Sequence, residues 1–218
     1  MKFEDSFKHK GLRKKLVEEI KNKGIEDERV LDAIGKVPRH LFMDSSFLEF
    51  AYIDKAFPIG SGQTISQPFT VAFQTQLLEI NKGDKVLEVG TGSGYQSCVL
   101  MEMGAKVYTI ERQKPLYLKA KTLLSDLGYK ARQISYGDGY KGLPAWAPFD
   151  RIIVTAGAVE IPESLIQQLK PGGILVIPLG RDTQVMKRIR KTAGDIHIEE
   201  EHGLFRFVPM LGDKANDR

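Results

Sequence analysis

The sequence predicts an α/β fold with a mostly parallel, doubly wound sheet, an N-terminal helical extension and C-terminal antiparallel strands. Short apolar segments alternate with helical patterns between residues 85 and 177, which is typical of a sheet covered by helices on both faces. Before residue 81 the apolar residues follow helical spacing instead. With 218 residues, 42% of them hydrophobic, we expect a single domain, in which residues 1–80 precede the sheet and residues 81–218 form it.

The N-terminal part predicts two helices and then a long loop. Leu12, Leu16 and Ile20 form one apolar stripe, and we expect Gly24 to end that helix. A second, short helix should end before Pro38, because the residue before a proline disfavours helical angles. Residues 52–68 show no period and predict a loop.

The loop is expected to end at a helix N-terminus. Ser66 is a suitable N-cap and Pro68 is tolerated in a first turn. The free backbone N–H groups of such a turn form an anion site, to which the hydroxyls of Thr64 and Ser66 would add further donors.

The second part predicts strands and helices in alternation. Strands are expected at 85–89, 106–110, 131–135, 151–154 and 173–177, helices at 95–103, 115–127 and 162–169, and two or three further strands within 185–209. Ligands of such sheets bind at the carboxyl ends of the strands. We therefore expect the turns after the first three strands to line a site.

The composition limits the partners and the cellular location to be expected. The net charge of +4 and the pI of about 9.0 would suit an acidic partner, but the densest basic stretch, residues 8–15, has helical spacing and predicts a solvated helix face rather than a nucleic-acid interface. The N-terminus lacks the apolar segment of a signal peptide, and no apolar run has the roughly 20 residues of a membrane helix. A single cysteine, Cys98, favours a cytoplasmic location.

A glycine-rich turn follows the first predicted strand, with Gly90, Gly92 and Gly94 after Glu88. The dinucleotide fingerprint G-x-G-x-x-G would require glycine at position 95, where the chain has Tyr95. The G-x-G-x-G spacing, with an acidic residue two positions before it, resembles motif I of the Rossmann-like methyltransferases. In those proteins the turn holds the methionine part of S-adenosylmethionine.

Two carboxylates follow the next two strands. Glu111 ends the second strand, where a carboxylate can accept hydrogen bonds from both ribose hydroxyls. Asp138 follows the third strand, beside Gly139, and in methyltransferases of this fold an acidic residue there meets the adenine amino group. Taken singly, Glu111 is equally compatible with a surface residue and Asp138 with an ordinary turn residue.

Further motifs resemble those of the protein-L-isoaspartate O-methyltransferase family, in the family's order along the chain. They are Pro38-Arg39 with Phe42, the segments 52–54, 58–60 and 62–68, the segment 86–95, and later 137–139, 154–156, 168–173 and 207–209. The chain departs from the family at Gly157, Val159 and Glu160, where an Ala-Ala-Pro type of sequence is more common, and the shape of the peptide cleft is affected there.

The resemblance implies roles for particular residues. The catalytic residue would be Ser66. The cofactor-binding residues would be Thr64, Glu88, Gly90, Thr91, Gly92, Glu111, Asp138 and Gly139. The substrate-binding residues would be Ile65, Ser66 and Val208, and no metal is expected.

The implied activity is methylation, with S-adenosylmethionine, of the free α-carboxylate of isoaspartyl residues in damaged proteins, by a monomer. That carboxylate is ionised at pH 7, so it needs no general base, in agreement with a chain that has 4 His and one Cys in no catalytic arrangement. Three alternatives remain: a methyltransferase of the same fold acting on RNA or a small molecule, a module that binds isoaspartyl sites without methylating them, and a nicotinamide enzyme, which Tyr95 disfavours.

Overall fold

Helices fill the N-terminal third of the chain, and strands dominate the remainder. The computed structural model describes residues 4–192 and 197–215. The α-helices are α1 (Phe7–Asn22), α2 (Glu28–Lys36), α3 (Pro68–Leu77), α4 (Tyr95–Glu102), α5 (Lys114–Asp126) and α6 (Glu163–Gln167). The strands are β1 (Phe57–Gly60), β2 (Gln63–Ile65), β3 (Lys85–Val89), β4 (Lys106–Glu111), β5 (Gln133–Tyr136), β6 (Phe149–Val154), β7 (Leu169–Leu179), β8 (Gln184–Lys191) and β9 (His197–Phe205). Among the described helices, none is both long and apolar enough to cross a membrane.

Seven strands form one sheet in the order β5-β4-β3-β6-β7-β8-β9. The pairs among β5, β4, β3, β6 and β7 are parallel, and β8 and β9 continue the sheet antiparallel. The predicted fold class is confirmed. From β3 the chain runs outward to β4 and β5, then returns to the opposite side for β6. The point between β3 and β6 is therefore a topological switch point, where such sheets bind ligands.

Alternation along the strands divides the interior into two apolar layers. Val86 of β3 faces the layer that also contains Leu16 of α1 and Val99 of α4. Leu87, next in sequence, faces the layer that contains Leu165 of α6. Helices thus cover both faces, because successive side chains of a strand point to opposite sides. The N-terminal extension thickens the first layer.

Most predicted elements agree with the structure to within two residues. Helix α1 ends in front of Gly24, whose φ of 105° suits glycine. The exception is the strand predicted at 173–177, because β7 begins four residues earlier, at Leu169, where the helix predicted at 162–169 was expected to end. The Phe149 amide donates to the Gln168 carbonyl over 2.8 Å, so sheet pairing takes over before the helix would end.

The segment predicted as an irregular loop contains a β-hairpin. Strands β1 and β2 pair antiparallel around Ser61 and Gly62, whose φ angles are 51° and 66°. Two successive positive φ values suit the tight turns that match strand twist. Proline and glycine had hidden the alternation in the sequence.

Strand β9 forms one edge of the sheet and is strongly charged. Glu199, Glu200 and Glu201 follow one another along it, and they pair with cations of β8. Lys187 Nζ lies 2.8 Å from Glu201 Oε1, and Arg188 contacts Glu200.

Candidate functional site

A cleft opens at the carboxyl ends of β3, β4 and β6. The turn after β3, the end of β4 and Thr155 after β6 form its floor, and the β2–α3 connection forms one side. The predicted site residues that line this cleft are Thr64, Ile65, Ser66, Gly90, Thr91, Gly92, Glu111, Gly139 and Val208. The topology thus brings together residues from both parts of the chain.

The glycine turn is shaped by a neighbouring strand. Gly90 has a φ of 99°, and a Cβ there would overlap the Thr155 hydroxyl. That hydroxyl donates to the carbonyls of Val89, at 3.0 Å, and Gly90, at 2.7 Å. Only glycine satisfies both the backbone angle and the close approach. Thr155 therefore fixes the turn from β6.

Glu111 lies in the cleft with its carboxylate partly used. Its oxygens accept the amides of Gly92 and Gln113, each at 2.8 Å, and the residue is 5% exposed. A carboxylate oxygen has two lone pairs, so each retains acceptor capacity. The side chain also ties the glycine turn to the end of β4.

Glu88 lies outside the cleft. Its side chain is fully buried behind the turn, where the Ser97 hydroxyl of α4 donates to its Oε2. Burial raises the pKa of Glu88 to about 7, against the opposing effect of hydrogen bonds from Ser97 and Thr109. In the strand, Glu88 shares its face with Val86, which points into the protein.

Asp138 also lies beside the cleft rather than in its wall. Its Oδ1 accepts the amide of Tyr140 over 2.9 Å and caps the short helix Gly139–Lys141. Gly139, the next residue, does line the cleft. The proposed contact of Asp138 with an adenine amino group stays a prediction.

The prediction that Ser66 caps α3 is wrong. The N-cap residue is Gln67, and its side chain forms no capping bond. Asp54 supplies the cap instead: its Oδ1 accepts the Phe69 amide over 2.7 Å, and its Oδ2 accepts from Gln67 at 2.9 Å and from Lys23 at 2.7 Å. Among the described residues the Ser66 hydroxyl has no hydrogen-bond partner, so it is available to a ligand.

The expected anion site of the α3 N-terminus is also largely occupied. Pro68 has no amide hydrogen, and the Phe69 amide is bound to the Asp54 carboxylate. The Val71 amide donates to the Gln67 carbonyl. A carboxylate already lies at this helix end, so an incoming anion depends on hydroxyl groups rather than on the helix.

A buried arginine holds the Ser66 backbone in place. Arg39 is 0% exposed and donates to the carbonyl of Ser66 over 2.8 Å and to that of Lys55 over 3.1 Å. Its guanidinium lies 5.2 Å from the ring centre of Tyr95, the first residue of α4. Burial lowers the pKa of Arg39 to about 10, which leaves it charged at neutral pH. One side chain thus joins the Ser66 loop to the helix that follows the glycine turn.

A second groove adjoins the cleft and opens between α3 and the segment after β9. The residues common to both are Thr64, Ser66, Thr155 and Val208. Ser66 therefore lies where two cavities meet. In the groove wall the charged residue is Arg206, and its side chain has no partner among the described residues.

Both cavities combine apolar side chains with hydroxyl groups and backbone atoms. Of the described residues that line them, none is a histidine, cysteine or lysine. The polar groups in their walls are mainly hydroxyls and backbone atoms, and the Glu111 carboxylate is held by two amides. Such a site is suited to positioning reactants.

The sequence did not predict roles for three residues that hold the site together: Thr155, Arg39 and Asp54. The signal for Thr155 was its place after β6, at the switch point. Arg39 and Asp54 gave no local signal, because each acts on a segment more than ten residues away.

A parallel sheet with a G-x-G-x-G turn at its switch point and a carboxylate after the next strand defines a Rossmann-like methyltransferase. The profile of the protein-L-isoaspartate(D-aspartate) O-methyltransferase family matches residues 11–215. The chain belongs to that family.

Individual relatives agree. The chain is 63% identical over 211 residues to protein-L-isoaspartate O-methyltransferase of Christiangramia forsetii, covering 96% of this chain and 99% of the relative. It is 59% identical to that of Flavobacterium psychrophilum, with the same coverage.

Two solved structures are similar. A protein-L-isoaspartate O-methyltransferase superposes with a TM-score of 0.83 at 30% identity, covering 92% of this chain and 66% of that one. A Plasmodium falciparum protein, described as a putative protein-L-isoaspartate O-methyltransferase in complex with S-adenosyl-L-homocysteine, superposes with a TM-score of 0.79 at 28% identity, covering 91% and 98%.

The Asp54 cap yields a stability prediction. Asp54→Ala should lower the free energy of unfolding by about 2 kcal/mol, because a capping bond is lost and the Phe69 amide is left without its partner. The matched control is Asp44→Ala, since Asp44 caps the exposed segment Ser45–Phe50 through the Ser46 amide. We expect the control to cost less than about 1 kcal/mol. Urea unfolding measures both, and equal losses would contradict the assignment.

Proposed function

We propose that the protein transfers a methyl group from S-adenosylmethionine to the free α-carboxylate of L-isoaspartyl residues in damaged proteins, and so initiates their repair. The observation that supports this most directly is the position of Ser66. Its hydroxyl lies where the cofactor-type cleft meets the open groove, which is where a methyl donor and a carboxylate would meet.

The cleft suits this cofactor better than a dinucleotide. Tyr95 is 2% exposed and occupies the position at which a pyrophosphate-binding turn needs glycine. Glu111 retains acceptor capacity for two ribose hydroxyls, and Val89, Ile110 and Met210 give the cleft an apolar lining. Gly90 and Gly92 let the backbone approach a ligand closely.

The absence of a base in the described walls agrees with the chemistry. When bound, S-adenosylmethionine supplies a methyl group on a positively charged sulfur, which a carboxylate oxygen accepts without a proton transfer. An α-carboxyl group has a pKa of about 3.3–3.7 and is ionised at pH 7. The protein's task is alignment and exclusion of water, and alignment alone contributes up to about 7–11 kcal/mol in well-oriented reactions.

Ser66 orients the acceptor carboxylate in this proposal, and the neighbouring Thr64 belongs to the cofactor side of the site. The free Ser66 hydroxyl donates to the carboxylate, while Arg39 holds the Ser66 carbonyl on the opposite side of the backbone. Ile65 and Val208 form the surrounding wall, and Val208 in turn accepts the Gly157 amide over 2.8 Å. The segment at which the chain departs from its family thus supports the substrate side of the site.

The product explains the repair. A methyl ester carries a better leaving group than a carboxylate, so the neighbouring backbone nitrogen attacks the ester carbonyl and methoxide leaves as methanol, taking the proton of the amide. A five-membered succinimide forms without further enzymic help, because the reacting groups belong to one molecule. Hydrolysis of the ring regenerates part of the normal aspartyl linkage.

We also propose that the protein works as a monomer in the cytoplasm. Its one cysteine, Cys98, is buried, and burial raises the pKa of its thiol. A buried, protonated thiol is unreactive and forms no bridge to another chain.

The first prediction concerns the cofactor. Glu111→Ala should weaken binding of S-adenosylmethionine by about 1.5–3 kcal/mol, because charge-assisted hydrogen bonds are lost. Calorimetric titration measures it, with Asp126→Ala on the exposed end of α5 as the control. An unchanged dissociation constant would remove Glu111 from the cofactor site.

The second prediction concerns Ser66. Ser66→Ala should lower kcat by roughly 10-fold or more while the dissociation constant of the cofactor stays the same, since the hydroxyl binds the acceptor. Because Ser66 is not a cap, stability should change by less than about 0.5 kcal/mol. Ser125→Ala, on the surface of α5, is the control. Full activity of the Ser66 variant would contradict its role.

The third prediction tests the function itself. Two peptides that differ only in Asp or isoAsp are incubated with labelled S-adenosylmethionine, and the methanol released by mild alkali is counted. We expect base-labile methyl on the isoaspartyl peptide and almost none on its twin. Free isoaspartate should react poorly, because contacts remote from the reacting centre contribute to alignment. Equal labelling of both peptides, or alkali-stable label on RNA, would favour a different methyltransferase.

A further inference from the structure

Glu88 lies directly behind the glycine turn, and the structure gives it no ion pair. It is 0% exposed, and among the described residues no cation contacts it. Its Oε2 accepts from Ser97, and its Oε1 has no hydrogen-bond partner. A fully buried carboxylate with an unpaired oxygen costs stability unless it has a use.

Hydroxyl groups connect this carboxylate to the cleft. The Thr109 hydroxyl lowers the pKa of Glu88, and it bonds the Thr91 hydroxyl over 2.5 Å. Thr91 lines the cleft, whereas Thr109 and Ser97 are fully buried.

Few other charges act on Glu88. Burial is the main cause that raises its pKa, to about 7, and Glu111 at the end of β4 raises it further. The thiol of Cys98 on α4 is the other titratable group coupled to it. On the β6 side its neighbour is Ile153, which is apolar. Burial therefore holds the pKa of this carboxyl near neutral, and among the described residues no cation offsets the effect.

We propose that Glu88 distinguishes the positively charged cofactor from its demethylated product, because its ionised carboxylate favours the cofactor. This rests on the proposed function. S-adenosylmethionine carries one positive charge more than S-adenosylhomocysteine, since transfer of the methyl group leaves a neutral sulfur. A negative charge that is fully buried acts across the turn with little screening. Glu88 is thus a positioning residue that acts through charge, Thr91 and Thr109, and it assists exchange of product for fresh cofactor.

The proposal predicts the direction in which cofactor affinity changes with pH. If the cofactor favours ionised Glu88, its binding near pH 7 releases a proton, and its affinity rises with pH through that range. Binding of S-adenosylhomocysteine should release almost none. The preference for S-adenosylmethionine over S-adenosylhomocysteine should therefore increase roughly 5- to 10-fold between pH 6 and pH 8.

Calorimetric titration of both ligands tests this at pH 6, 7 and 8, in buffers of different ionisation enthalpy. In Glu88→Gln the preference should become independent of pH, and the released proton should disappear. Glu102→Gln is the matched control: this carboxylate lies on α4, the helix that carries Ser97, and it accepts a hydrogen bond from the Tyr129 hydroxyl instead. It should keep the pH dependence of the unmodified protein.

A second variant covers the case in which Glu88→Gln does not fold. Ser97→Ala removes a hydroxyl that favours the ionised carboxylate, so the midpoint of the pH dependence should move to higher pH. A pH-independent preference in the unmodified protein, or an unmoved midpoint in Ser97→Ala, would overturn the role of Glu88. Failure of both ligands to bind the unmodified protein would instead overturn the proposed function.

Discussion

The geometry of the site depends on the contacts that the Arg39 guanidinium makes. The loop that contains Ser66 belongs to the N-terminal extension, whereas the glycine turn belongs to the sheet, and nothing in the chain sequence forces them together. Arg39 does so, by donating to the carbonyls of Ser66 and Lys55 and by contacting the ring of Tyr95. Its loss would leave the carbonyls of Ser66 and Lys55 without their guanidinium donor, so the Ser66 loop would lose its hold on α4.

Around the contacts of Arg39, three carboxylates hold the segments that form the site. Asp54 closes the end of α3, Glu111 ties the glycine turn to β4, and Glu88 lies beneath the same turn. Each carboxylate is held by neighbouring donors, whereas the Ser66 hydroxyl between the two cavities is free. Rigid surroundings with a few available polar groups are what a reaction without proton transfer requires, because the rate then depends on alignment and dehydration.

The sheet could be predicted because each of its signals is local. Apolar periodicity located β3 to β7, and the glycine spacing of 90–94 located the cleft. The β1–β2 hairpin was not predicted because Pro58 and the glycines interrupt the alternation of apolar and polar residues. Asp54 and Arg39 escaped because their partners are distant in sequence. Glu88 was placed among the cofactor contacts by motif, although strand alternation puts it on the face of Val86, behind the turn.

The acidic edge strand has a consequence for a protein whose substrates are aged chains. Misfolded and partly extended polypeptides seek exposed strand edges, where they add a strand through main-chain hydrogen bonds. At β9 such a chain would meet Glu199, Glu200 and Glu201 in succession, with Lys187 and Arg188 already engaged beside them. The charged edge thereby disfavours the addition of a substrate chain to the sheet, and extended chains remain free to enter the groove beside Ser66.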